Sequence, residues 1–185
     1  MKPSQIEIEI LTLINVGWSH PFLDILMKTL SAEYTWAAFT LGLLVFLGSK
    51  KKWLHLLCLV WIGLIVALAD MTGFYLLKPF FERLRPCKVN SFVRIVESCG
   101  GWESFPSNHS TNSAVVCIMA YAAWGRSIGI ITMFFCFFVG LSRVYMGVHY
   151  PGDVLAGFMV GILWGGAGCF GVRLTKALAA QVVPD

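Results

Sequence analysis

The sequence predicts an all-α fold: a polytopic membrane helix bundle with five to six transmembrane helices, preceded by N-terminal helices that are interfacial or partly embedded. Three observations predict it. Hydrophobic residues make up 57% of the 185 and charged residues only 13%, about half the charged share of an ordinary soluble domain. The mean hydropathy is +0.74. Five apolar stretches approach the roughly 20 residues that cross a bilayer as a helix. A single integral membrane domain, 1–185, accounts for the chain.

The elements follow in chain order. Residues 1–33 hold two apolar segments, Ile6–Ile14 and Phe22–Leu30, mixed with Glu7, Glu9 and Asp24. Such mixing suits helices that lie at the membrane interface. It does not suit a cleavable signal, which needs a basic start and one apolar run. The bundle occupies 34–172, with spans at Tyr34–Gly48, Trp53–Leu77, His109–Trp124, Ser127–Tyr145 and Asp153–Val172. The first is short, and borrows length from Phe22–Leu30 if a sixth crossing forms. The fifth repeats glycine at 157, 161 and 165, a small-residue stripe for close helix packing.

Charge orients the bundle. With five crossings, Lys50, Lys51, Lys52, Arg126, Arg173 and Lys176 share one side, which marks that side as cytoplasmic. The loops 78–107 and 146–152 then face outward. The short chain and sparse loops point to the inner (cytoplasmic) membrane of a bacterium, with those loops in the periplasm. The longer loop carries five basic and three acidic residues. A basic outward loop runs against the usual trend, and anion binding is a local reason for it. The net charge of +4 comes from few residues, not interleaved with aromatics on a polar face, so nucleic acid is not an expected partner. Membrane lipids with anionic head groups are.

Chemistry concentrates in three pieces: Lys78 with Arg85-Pro86; Pro106-Ser107-Asn108-His109; and Ser142-Arg143, His149 and Asp153. Each lies at the outward end of a span. Lys78, Arg85 and Arg143 would repel one another near hydrocarbon unless an anion joined them. A phosphate fits, since Arg grips it with paired donors and Lys acts as a point charge. Ser107 can cap the third span, leaving backbone N–H groups near Asn108 and His109 as a phosphate seat. His149 and Asp153 stand four apart. A carboxylate so placed fixes one imidazole nitrogen and leaves the other as nucleophile. His109 is a second imidazole, able to protonate a departing oxygen near neutral pH.

These three pieces, in this order and spacing, resemble the signature motifs of the type 2 phosphatidic acid phosphatase superfamily over Lys78 to Val172. The resemblance implies metal-independent hydrolysis of a lipid phosphate or diphosphate, with no cofactor. His149 would form a phosphohistidine, Asp153 would orient it, and His109 would serve as acid and then activate water. Lys78, Arg85, Ser107, Asn108 and Arg143 would hold the phosphate. Asn108 departs from the glycine common in the family. Lipid A, undecaprenyl diphosphate, phosphatidylglycerophosphate and phosphatidic acid all fit as substrate, and a large tail with an outward phosphate is favoured. The alternatives are a lipid phosphotransferase with the same histidine chemistry, or a non-catalytic phospholipid binder or transporter. Two histidines exceed what binding needs.

Other residues receive plainer readings. Asp70 is expected to be a structural partner inside its span. Arg83, Lys88 and Arg94 either meet a head group or are solvated loop charges. Phe92, Trp102 and Phe105 either line a lipid entrance or form an interfacial aromatic belt, and the belt is favoured. Cys58, Cys117, Cys136 and Cys169 act as small apolar residues. Cys87 and Cys99 form a disulfide if their side of the membrane is oxidising.

Overall fold

The computed structural model describes residues 1–32, 34, 36, 41–42, 45 and 52–182. Seven helices can be followed among them. α1 is Gln5–Thr12, extended by a wider turn over Leu13–Gly17. α2 is Pro21–Ser31. α3 runs Trp53–Phe81, with a wider turn at Thr72–Leu77. α4 is the single turn Pro86–Val89. α5 is Asn108–Trp124, α6 is Arg126–Tyr145, and α7 is Pro151–Val182. No strand forms among the described residues beyond one isolated bridge, Leu84 to Glu103. The all-α expectation holds.

Trp53–Phe81, Arg126–Tyr145 and Pro151–Ala177 are long and apolar enough to cross a membrane. α5 has 17 residues, about 26 Å at 1.5 Å per residue. α1 and α2 bend by 116° at the break between them. The chain is a multi-pass membrane protein. The expected first span, Tyr34–Gly48, lies mostly outside the described residues. The others start and end within a few residues of expectation, except that α3 continues to Phe81 and α7 continues past Val172.

Local chemistry explains the helix starts. Ser4 and Glu7 form a reciprocal capping box, with Glu7 N–H donating to Ser4 Oγ at 3.3 Å and Ser4 N–H to the Glu7 carboxylate at 2.9 Å. His20 Nδ1 accepts from Phe22 N–H at 3.2 Å, and Pro21 opens α2. Ser107 caps α5, and Pro151 opens α7.

The small-residue stripe of α7 packs on α5. A Cβ at Gly157 would stand 2.5 Å from the Ser107 carbonyl oxygen, one at Gly161 would strike the Thr111 carbonyl, and one at Gly165 would stand 2.9 Å from Ile118 Cβ. Backbones approach this closely only where side chains are absent. α3 completes a core in which Cys58, Ile62, Ile65 and Ala69 meet Val115, Met119 and Val172. α1 and α2 bury Leu11 against Val144, Tyr150 and Val154, and Met27 against Tyr145, Met146 and Val148. The N-terminal helices therefore pack on the ends of α6 and α7 that carry His149 and Asp153.

The 78–107 loop is anchored at several points. Asn15 is fully buried. Its Nδ2 donates to the carbonyls of Arg94 (2.8 Å) and Tyr145 (2.7 Å), and its Oδ1 accepts from Arg94 N–H (2.8 Å). Arg94 pairs with Asp24 at 2.9 Å, so neither reading of Arg94, head-group contact or solvated charge, describes it. Lys88 lies over the Trp102 ring at 5.0 Å. Phe92 and Trp102 are exposed, whereas Phe105 packs on Phe81 with ring centroids 4.6 Å apart. Cys87 and Cys99 are disulfide-bonded, with Cα atoms 6.1 Å apart.

Candidate active site

Five chain segments bring the sequence-predicted residues to one end of the bundle. Lys78 comes from the last turn of α3, where the wider turn at Thr72–Leu77 precedes it. Turns of this kind reset the facing of the residues that follow and recur at functional sites. Arg85 stands just before α4, His109 in the first turn of α5, Arg143 in the last turn of α6, and His149 and Asp153 around the start of α7. Lys78 and Arg85 are buried, and His149 and Asp153 almost completely so. The charges of Arg85, Arg143 and Lys78, and the His109 ring, all act on His149. Arg143, Arg85 and Lys78 likewise act on His109. The three cations and both imidazoles share one electrostatic site.

The two nitrogens of His149 face different groups. Nδ1 is 3.6 Å from Asp153 Oδ2. Nε2 is 3.3 Å from Arg85 Nη1. A guanidinium only donates, so Nε2 carries the lone pair and Nδ1 the proton, directed at the carboxylate. Burial, reinforced by Arg85, Arg143, Lys78 and His109, pushes the pKa of His149 well below 6.5. The ring is neutral at neutral pH. Burial also lowers the pKa of Arg85, which still stays a cation.

His109 Nε2 lies 3.2 Å from the Ser31 carbonyl at the end of α2. A carbonyl only accepts, so Nε2 is protonated and Nδ1 is left to exchange a proton. Ser31 Oγ also contacts Ser142 Oγ beside Arg143, tying α2 to the rim of the site.

The start of α5 presents several hydrogen-bond donors. Ser107 Oγ accepts from Ser110 N–H at 3.5 Å and from Ser110 Oγ at 3.1 Å. Its own hydroxyl proton remains to donate. The N–H groups of Asn108 and His109 sit in the first turn, where no intrahelical acceptor exists. The Asn108 side chain does something else. Its Nδ2 donates to the Asp70 carbonyl (3.2 Å) and carboxylate (3.0 Å), and Asn112 Nδ2 donates to the same carboxylate at 2.8 Å. Asp70 therefore ties α3 to α5, the structural role expected of it. Only the backbone of Asn108 is left for a phosphate.

Sequence reasoning missed two residues. Arg83 is neither a head-group contact nor a solvated charge. It is 1% exposed, and its Nη1 donates to Asp153 Oδ1 at 2.6 Å. Its Nη2 donates to both Glu7 oxygens at 2.9 and 2.8 Å. Glu7, from α1, also accepts from Gly152 N–H at 3.2 Å. Arg83 sits two residues before Arg85 and reads as one more loop charge. Glu7 lies 76 residues from Arg83, a pairing that no local pattern signals.

Comparison with known proteins bears on this site. The pattern of the PAP2 superfamily matches residues 51–173. A lipid A 4'-phosphatase of Bacteroides thetaiotaomicron is 32% identical over 165 residues, covering 85% of this chain and 73% of that protein. The crystal structure of Aquifex aeolicus LpxE superposes with a TM-score of 0.72 at 25% identity, over 91% of this chain and 97% of that one. The crystal structure of a PAP2-type phosphatidylglycerolphosphate phosphatase from Bacillus subtilis gives 0.62 at 29% identity, over 97% and 88%.

Proposed function

The chain belongs to the PAP2 superfamily, and we propose that it removes phosphate from a lipid phosphate or diphosphate through a phosphohistidine on His149, at the periplasmic face of a bacterial inner membrane. That it is a membrane lipid phosphatase accords with its relatives, among them a lipid A 4'-phosphatase and a phosphatidylglycerophosphatase B. The observation that carries the mechanism is the unequal pairing of the His149 ring, with Nδ1 toward Asp153 and Nε2 toward Arg85.

The steps follow from that pairing. Lys78, Arg85 and Arg143 draw the phosphate in, with the Ser107 hydroxyl and the first N–H groups of α5. Nε2 of His149 displaces Arg85, which turns to a phosphate oxygen, and attacks phosphorus. A P–N bond forms and the P–O bond to the lipid breaks. The bound phosphate anion lets His109 take up a second proton, on Nδ1, and His109 gives that proton to the departing oxygen. For a monoester the product is a lipid alcohol; for a diphosphate it is a lipid monophosphate. Asp153 stabilises the positive charge growing on His149. Water then attacks phosphorus, His109 takes its proton, and phosphate leaves with His149 restored. The three cations offset the charge that builds on the equatorial oxygens.

The orientation rests on the positive residues. Lys52, Arg126, Arg173 and Lys176 gather at the end opposite the site, and Lys176 Nζ reaches the Ala122 carbonyl at 2.9 Å. Positive residues favour the cytoplasm, which leaves the site outside. A lipid with a large apolar tail suits a site at the end of a membrane helix bundle, and lipid A is the first substrate to test.

The test offers purified protein in detergent lipid A, undecaprenyl diphosphate, phosphatidylglycerophosphate and phosphatidic acid, and measures released phosphate. Turnover is expected with at least one. It should vanish in His149→Ala, be inhibited by vanadate and survive a chelator. Full activity in His149→Ala would remove the mechanism.

A further inference from the structure

We propose that Glu7 and Arg83 are positioning residues, forming with Asp153 a buried ionic chain through which the N-terminal helix sets the orientation and basicity of His149. The proposal rests on the nucleophilic role assigned to His149 above.

The geometry is continuous. Arg83 spends Nη1 on Asp153 Oδ1 and Nη2 on both Glu7 oxygens, and its guanidinium stacks on the Tyr150 ring at 4.5 Å. Tyr150 N–H holds the other Asp153 oxygen, Oδ2, at 2.8 Å. That oxygen is the one facing His149 Nδ1. Each Asp153 oxygen thus has a fixed donor, and the carboxylate cannot rotate away from the imidazole. Glu7 braces the same turn twice, through Arg83 and through Gly152 N–H. It lies outside the residues that match the superfamily pattern, 51–173.

Charge gives the chain a second effect. Arg83 alone would neutralise Asp153 and remove the counter-charge that His149 needs when phosphorylated. Glu7 neutralises Arg83 instead, leaving one net negative charge beside the ring. That charge opposes Lys78, Arg85 and Arg143, the cations acting on His149 from α3, the loop before α4 and α6, with His109 adding from α5. Removing it makes Nε2 less basic and the phosphoimidazolium less stable.

The test measures kcat/KM against pH for Glu7→Gln and Glu7→Asp beside the parent enzyme, with phosphatidic acid in mixed micelles and released phosphate as readout. Ionisation of the substrate is common to all three and cancels in the comparison. Glu7→Gln keeps the shape and loses the charge. Its acid limb should move to lower pH, and kcat should fall severalfold while KM holds. Glu7→Asp keeps the charge and shortens the reach, so its limb should stay in place while thermal stability drops. The position of the limb does not depend on how much enzyme is folded, so a poorly folding variant still answers. An unmoved limb in Glu7→Gln, or an equal displacement in both variants, overturns the proposal. Activity persisting in His149→Ala would instead overturn the reading beneath it.

Discussion

At position 149 one ring nitrogen meets a carboxylate and the other a guanidinium, and this asymmetry assigns the tautomer and, in the proposed mechanism, the nucleophilic atom. The candidates His109, His149, Asp153, Lys78, Arg85 and Arg143 could be picked from the sequence because phosphoryl transfer to histidine needs an oriented imidazole, an acid and several cations. Arg83 and Glu7 could not, since what defines them is a contact between segments far apart in the chain. The role of the Asn108 carboxamide was equally hidden, because it depends on Asp70 lying opposite. Burial of His149 also has a thermodynamic consequence. In the unfolded chain this group titrates near pH 6.5; folded, it titrates well below that. As pH falls through about 6.5, the unfolded chain takes up a proton that the folded protein refuses, so stability is lost toward acid. Thermal unfolding in detergent between pH 7 and pH 5 should show a falling midpoint. His149→Gln should flatten that fall, and an equal slope in the variant would show that other groups govern it.

At the level of elements, hydropathy placed α3, α5, α6 and the start of α7 to within a few residues, because a bilayer demands length and apolarity and little else. The glycines at 157, 161 and 165 announced a packing face, and that face meets α5. Less visible was the wider turn at Thr72–Leu77, which no residue pattern signals and which carries α3 on to Lys78 and Phe81. Contact between α5 and α7 also fixes the site, because Ser107 N–H donates to the Asp153 carbonyl at 3.0 Å. Ser107 and Asp153, which we propose hold the phosphate and orient His149, are therefore built on one helix pair. Gly161→Val drives a branched side chain into the Thr111 carbonyl and should cost about 1–3 kcal/mol. Activity should fall with it, as α5 shifts away from Asp153. Unfolding midpoints and phosphate release measure the two effects, and unchanged values of both would contradict this packing.

For the whole molecule, the site is closed from three directions. The bundle supplies Lys78, His109, Arg143 and Asp153. The loop 78–107, pinned by Asn15 and by the Cys87–Cys99 disulfide, supplies Arg85 and Arg83. The N-terminal helices, which composition marked as interfacial or partly embedded, supply Glu7 and the Ser31 carbonyl. Composition could assign the chain to the membrane, but could not show that its first thirty residues or so pack against the active site, since their apolar faces look the same against lipid or protein. The claim that organises these parts is that His149 carries the phosphoryl group between lipid and water. Its most direct test mixes enzyme with phosphate-labelled lipid substrate, quenches within a turnover under alkaline conditions, and locates the label by mass spectrometry. Label on His149 that is labile to acid, and absent from His149→Ala, is the predicted result; label on another residue, or a labelled His149→Ala, would contradict it.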